Sequence, residues 1–436
     1  MSAASSRNGS ENSSQTFAYF GLLTLLVYLA TPAGYLIDIQ TSYMLKNQLH
    51  ATATEVSTFR LFTAIPAYFG FAFGMMRDLW NPFGLRDRGI FFIFAPLTTV
   101  AFLWMANARI SYWGLVIGML LAMLSSRFIA AAYQGLTALV GQEQLMSGRL
   151  SVIWNVISAL PIIAGAFTAG YISEHLRPAE TFFLVAAFTA GIALLGLWKP
   201  RSVFSHTYEK PQASGENFVE NVRRLVKHRA IYPAVLICFL WNFAPGSATP
   251  LQFYLTDKLH ASDAVYSYFN GIFAASFIPT FLLYGYLCKK VPLDKLLWWG
   301  TIIAVPQLIP LAFVHSANLA LALAVPIGLL GGVATAAYID LAMRSCPPGL
   351  QGTLMMMVDG VLLLSARGGD LWGSRIYNSS PLHGFLYCVI ATTAVYALIL
   401  PLILLVPKEL IATADGEPNP RVLAEVQEEI CGTEPV

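Results

Sequence analysis

Apolar runs of about 20 residues, the length needed to cross a bilayer as a helix, recur along almost the whole chain. They fall near 17–40, 56–76, 89–107, 112–140, 151–172, 181–198, 231–255, 265–287, 295–315, 318–342, 353–377 and 384–406. Hydrocarbon leaves backbone N–H and C=O groups unsatisfied unless they bond within the segment, and these runs show no apolar–polar alternation, so they predict helices and not barrel strands. The expectation is an all-α polytopic membrane protein with twelve transmembrane helices in two six-helix halves. Composition agrees: 56% of residues are hydrophobic and 11% charged, whereas soluble domains carry about 25% charged residues. The predicted organisation is a disordered tail at 1–16, a first half at 17–198, a central loop at 199–230, a second half at 231–406 and an acidic tail at 407–436.

Several function classes drop out on residue content. The basic residues are dispersed among loops and form no patch for nucleic acid. Cys238, Cys288, Cys346, Cys388 and Cys431 lack CxxC spacing and a histidine-rich neighbourhood, so neither a metal site nor a disulfide framework is expected. No GxxxxGK[ST] run is present to cradle phosphates, and no soluble domain is long enough to hold a hydrolase constellation. No enzyme activity and no cofactor are expected, and an ion gradient remains as the energy source. The first apolar run lacks a small-residue cleavage site, which predicts a retained helix and not a signal peptide.

The halves look related. SYMLKNQLHATA after span 1 matches QFYLTDKLHASD after span 7 at Leu45/Leu255, Leu49/Leu259, His50/His260 and Ala51/Ala261. A parallel repeat of six-helix halves suits a protein that rocks about a midplane site. Lys and Arg beside the spans gather on one side, with Arg77, Arg86, Arg88, Arg149, Arg223, Arg224, Lys289, Lys290 and Arg344 among them, so both termini and the central loop are expected in the cytoplasm. In that loop, Phe218, Val219, Val222, Leu225 and Val226 share one face, predicting a short helix on the membrane surface whose Arg223, Arg224 and Lys227 meet anionic lipid headgroups, or, as the blander and favoured role, a simple tether between the halves.

Charges inside the spans carry the functional expectation, because each must line a wet cavity or find a partner. Arg127 sits near the middle of span 4. Asp359, Arg367 and Asp370 of span 11 fall within one arc of roughly 80° at about 100° per residue, so they share a face. A carboxylate in such a cavity has its pKa raised toward the range where it loads and releases a proton, which makes Asp359 or Asp370 a candidate coupling group, against a static Asp/Arg pair. Asp38, near the outer end of span 1, is a third carboxylate. Trp241 offers a stacking surface, and Tyr35, Gln134, Asn155, Asn242, Gln252 and Asn270 add hydrogen-bonding capacity. Gly328 and Gly332 make a small-residue seam in span 10.

The charged turn Gly74–Gly89, GMMRDLWNPFGLRDRG, is the most specific stretch. Its Gly74, Asp78, Arg86 and Arg88 resemble the signature between helices 2 and 3 of the major facilitator superfamily. That resemblance implies a conformational lock built from these four residues, with Gly74 permitting close helix approach and Asp78 accepting from arginine while capping a neighbouring helix. Within the superfamily, YMLKNQL, Pro66, FGLRDRG and CPPGLQGTL (Cys346 to Leu354) are similar to the folate-biopterin transporter family. The implied activity is proton-coupled movement of a small organic solute, first a pterin or folate, across the inner (plasma) membrane by a monomer. A muropeptide or sugar permease is the alternative within the superfamily, and a non-transporting membrane scaffold the alternative outside it. The chain departs from that family at Ala67 and Gly70, where Trp and Lys are typical, and at Ser125, Ser126 and Arg127, where an acidic residue is expected.

Overall fold

The computed structural model describes residues 2–32, 34, 36–37, 41, 44–50, 53–108, 111–204, 218–380 and 382–417. Asp38, Tyr35 and Arg109 lie outside them. Among the described residues the secondary structure is helical, without a strand. The first half comprises α1 (Ser2–Leu29), α2 (Ala53–Tyr68), α3 (Gly70–Leu79), α4 (Asp87–Asn107), α5 (Tyr112–Glu143), α6 (Ser147–His175) and α7 (Pro178–Leu195). After the short α8 (Phe218–Lys227) come α9 (Ile231–Asn242), α10 (Thr249–Phe253), α11 (Asp263–Leu287), α12 (Leu293–Ala304), α13 (Ala317–Arg344), α14 (Gln351–Ser379), α15 (Gly384–Ala397), α16 (Ile399–Ile403) and α17 (Lys408–Ile411).

Eight described segments are long and apolar enough to cross a membrane, and Ser14–Leu29 and Ile231–Asn242 are shorter apolar helices. The expected spans outside those eight differ from simple rods for identifiable reasons. Span 2 breaks at Phe69 between α2 and α3, three residues past Pro66. Span 7 breaks between α9 and α10 over Phe243-Ala-Pro-Gly-Ser-Ala248, where Pro245 and Gly246 disfavour continuous helix. Span 11 is a continuous helix, α14, but carries Asp359, Arg367 and Asp370. At the N-terminus α1 starts at Ser2, within the stretch 1–16 expected as a tail.

The internal repeat has a structural counterpart. Met44–Gln48 and Tyr254–Lys258 are both single π-turns. Leu49 N–H donates to Met44 O at 2.9 Å, and Leu259 N–H to Tyr254 O at 3.2 Å. Each turn ends on a histidine with left-handed backbone, φ 49° at His50 and 51° at His260, an uncommon state for a non-glycine residue. Leu45 and Leu255, the matched apolar residues, are buried in equivalent places, one in a satellite core of the first half and one in that of the second.

A larger core joins the halves, with Ala132, Tyr133 and Leu136 of α5 in the same cluster as Ala336, Ala337 and Tyr338 of α13 and Met355 of α14. Close approach elsewhere depends on missing side chains: a Cβ on Gly332 would stand 1.8 Å from Thr280 Oγ1, and one on Gly328 2.6 Å from Ser276 Cβ. Thus α13 lies against α11 along the small-residue seam. Outward, Val100, Leu194, Leu404 and many other large apolar side chains are exposed, as hydrocarbon contact requires and water contact would not favour.

Candidate functional site

Two adjoining chambers occupy the interior, with Ile162 of α6 lining both. The first, about 340 Å³, is lined by Tyr28, Thr31, Arg127, Tyr133, Gln134 and Asp359 among others. Arg127 comes from α5 and Asp359 from α14, and Arg127 Nη1 donates to Asp359 Oδ2 at 3.0 Å. This pair bridges the two halves. Its members differ in solvation, for the arginine side chain is 12% exposed and the carboxylate 36%. Among the described residues, Arg127 Nε and Gln134 Oε1 are buried without a hydrogen-bond partner. Unpaired buried polar atoms are costly, and here they converge on a cavity wall, where a polar ligand can satisfy them. A minor recess of about 20 Å³ behind Arg127 reaches Thr98, Ser126 and Thr189.

The second chamber, about 500 Å³, is lined by Trp241, Asn242, Asn155, Asn270, Gln307 and Tyr396, with further phenylalanines. Trp241 stacks on Tyr396 at 4.6 Å between centroids and meets Tyr338 edge-on at 5.4 Å. Tyr396 and Tyr338 thereby hold the indole that the sequence marks as a stacking surface.

The structure separates the three charges of α14. Asp359 pairs with Arg127, while Asp370 accepts from the backbone N–H of Thr249 at 2.8 Å and from its hydroxyl at 2.9 Å. Asp370 therefore caps α10 at the break in span 7, satisfying donors that the helix start leaves open. Arg367 is exposed, lines neither chamber and makes no hydrogen bond or ion pair among the described residues. A shared helical face does not bring residues together when about 1.5 Å of rise per residue places them a turn or more apart.

On the face bearing the charged turn, Asp78 does what a capping carboxylate does. It accepts from Gly352 N at 3.1 Å, Thr353 N at 2.7 Å and Thr353 Oγ1 at 2.6 Å, all at the start of α14 in the opposite half. Gly74 lies against the same helix, where a Cβ would come 2.3 Å from Gly352 O. The arginine bonded to Asp78 is its neighbour Arg77, at 2.8 Å, which also grips Asp87 at 2.5 and 2.6 Å. Arg88 instead donates to Gly196 O at 2.8 Å and lies over Phe92 and Phe204. Arg86 has left-handed backbone, and its N–H donates to Asn81 Oδ1 at 2.7 Å.

A second clasp on this face is absent from the sequence reading. Asp415, beyond the last span, accepts from Gly148 N at 3.0 Å and Arg149 Nε at 2.6 Å at the start of α6. Its own N–H donates to Cys288 O at 2.8 Å. Burial, then the charge of Asp340, raises the Asp415 carboxyl above its ordinary range against the pull of Arg149. Gln142 of α5 adds bonds to Met343 O and Cys346 O at 3.0 and 2.8 Å. The charged face is closed between the halves.

A family model described as Major Facilitator Superfamily matches residues 15–366. The chain belongs to the major facilitator superfamily. Among curated relatives, the folate-biopterin transporter of Synechocystis is 21% identical over 366 residues, 79% of this chain and 72% of that protein. Folate transporter 2 of Plasmodium falciparum is 20% identical over 364 residues, 80% of this chain and 78% of that one. Among solved structures, the human organic anion transporter MFSD10 (TETRAN) superposes with TM-score 0.66 at 14% identity, covering 89% of this chain and 98% of that one. FucP in the outward conformation gives 0.64 at 15% identity, covering 90% and 98%. These likenesses fix the superfamily fold and its multi-pass membrane character.

Proposed function

We propose that this superfamily transporter carries a pterin or folate across the inner membrane by alternating access, driven by protons, with Arg127 and Asp359 as the coupling pair. The observation that carries the reading is the ion pair bridging the two halves at a chamber wall. Protonating Asp359 removes one partner's charge and frees Arg127 to bind an anionic group of the solute, so proton and solute occupancy are linked through one arginine. Asp370, already engaged in capping α10, is the weaker coupling candidate.

The names of the curated relatives support the choice of solute, and the excess of Lys and Arg on the charged face supports placing that face in the cytoplasm. In that orientation the latch through Gly74, Asp78 and Arg77 holds the cytoplasmic gate shut, with Arg86 and Arg88 bracing the loop that presents it. The test is uptake of labelled folate and biopterin into proteoliposomes with and without an inward proton gradient. Accumulation driven by the gradient and lost in Asp359→Asn is expected. Accumulation that ignores the gradient, or survives in Asp359→Asn, would sink the coupling assignment.

A further inference from the structure

The second chamber has a polarity that follows from where its donors go. Asn155, Asn242 and Asn270 each donate an amide N–H to the carbonyl four residues back, Ser151 O at 2.7 Å, Cys238 O at 3.3 Å and Tyr266 O at 3.0 Å. A carbonyl only accepts, so in each side chain the NH₂ end must face the helix and the oxygen is the end left over. Among the described residues none of these three oxygens has a partner. The hydroxyls behave alike: Ser247 donates to Ala244 O at 3.0 Å and Thr335 to Gly331 O at 3.0 Å, which leaves lone pairs. Gln307 Oε1 is buried against Gly331 without a partner among the described residues, and the Trp241 indole N–H remains as a donor on the wall. Among the described residues no Asp, Glu, Lys, Arg or His lines this chamber.

We infer that this chamber recognises an uncharged flat ring bearing several N–H donors and rejects an ionised carboxylate, leaving any anionic part of the solute to Arg127 in the neighbouring chamber. The inference rests on the transport reading and assigns the parts of its solute. Acceptor oxygens on several helices favour donors from the ligand. A carboxylate brought here would lose hydration, face those oxygens and meet no cation among the described residues. Flatness follows from the walls, since the Trp241–Tyr396 stack and Phe273, Phe277 and Phe281 present ring surface.

The test is isothermal titration of the full-length protein in nanodiscs with 2-amino-4-oxopteridine, its 2,4-dioxo analogue and myo-inositol, alongside solute uptake in proteoliposomes. The amino ring should bind, and the dioxo ring, which replaces the amino group by a carbonyl and gains a ring N–H so that it offers one N–H fewer, should bind about threefold to tenfold more weakly, the worth of one net hydrogen bond. Asn270→Leu and Asn242→Leu, each confirmed monodisperse and helical, should weaken the amino ring by a similar factor. Equal binding of the two rings, wild-type affinity in both variants, preference for myo-inositol, or no binding of any probe would each overturn the inference. Uptake then separates the two readings: gradient-driven accumulation with unaltered binding in the variants leaves transport standing and removes the chamber's role. Ring binding lost in the variants without any accumulation does the reverse.

Discussion

Replacing Gly74 by alanine should open the closed face. A Cβ there would stand 2.3 Å from Gly352 O and 2.8 Å from Thr353 Cα, whereas carbon and oxygen ordinarily approach to about 3.3 Å. The atoms met are backbone, so α3 and α14 must separate by about 1 Å. Adding that to the Asp78 bonds of 3.1 and 2.7 Å stretches them to about 4.1 and 3.7 Å, beyond hydrogen-bonding range. Hydrogen bonds to a charged group contribute about 1.5–3 kcal/mol each; taking the lower figure for two, the latch loses about 3 kcal/mol, and the closed-to-open ratio falls about a hundredfold. Cys346 reports this directly. It is 4% exposed beside the latch, and burial, then the charge of Asp78, holds its thiol well above the usual range, so it is inert while the face is closed. In a protein retaining only this cysteine, alkylation by N-ethylmaleimide should be at least tenfold faster in Gly74→Ala. Unchanged protection of Cys346 in a folded Gly74→Ala protein would refute the reasoning.

Two further perturbations have worked signs. Asp370→Ala removes both bonds to Thr249 and should lower stability by about 1 kcal/mol, the usual cost of losing a helix cap, read as a shift in thermal unfolding. Asp415 gives a pH signature: its folded carboxyl is raised chiefly by burial, so the folded state holds the proton more tightly than the unfolded state. That contribution is fully present below about pH 3.9, the unfolded value, and is lost as pH rises through the folded value. Asp415→Asn should flatten the dependence of unfolding temperature on pH across that acidic window, and an identical slope in the variant would contradict the assignment.

The helical membrane character, the charged turn and the repeat after spans 1 and 7 are legible because each depends on local chemistry: length against bilayer thickness, the cost of burying charge, matched short strings. The break in span 7 had its signal in Pro245-Gly246, but the hydropathy of the surrounding run outweighed it. Pairings were not legible. Arg127 and Asp359 were both marked as buried charges, yet nothing in a sequence separation of 232 residues says that they meet. Asp359, Arg367 and Asp370 share a face by periodicity but have separate fates, one paired, one exposed and one capping α10. The family pattern points to Arg86 and Arg88, whereas reach from α3 makes Arg77 the guanidinium that meets Asp78.

The two clasps of the charged face are related by the repeat and yet built differently, and this can be tested apart from the latch at Gly74. Asp78, at the end of span 2, caps the start of α14; the equivalent place in the second half is the end of α11, facing the start of α6. There the chain offers Cys288, whose carbonyl accepts Asp415 N–H, and the tail supplies the carboxylate that α6 and Arg149 take up. Thr413 O is held in turn by Arg344 at 2.9 Å, so the segment after α17 fastens the second half before it reaches the first. Ending the chain after Ala412 should therefore loosen this clasp without touching a span, at about 1–2 kcal/mol for the lost cap, or about fivefold to thirtyfold in the closed population. Cys288, 1% exposed under the segment, should become reactive to maleimide in the shortened protein and in Asp415→Ala alike. Reactivity in the shortened protein alone would mean that the tail merely covers the thiol. Protection in both would mean that the first-half latch closes this face unaided, which the direct bonds from Asp415 to Gly148 and Arg149 argue against.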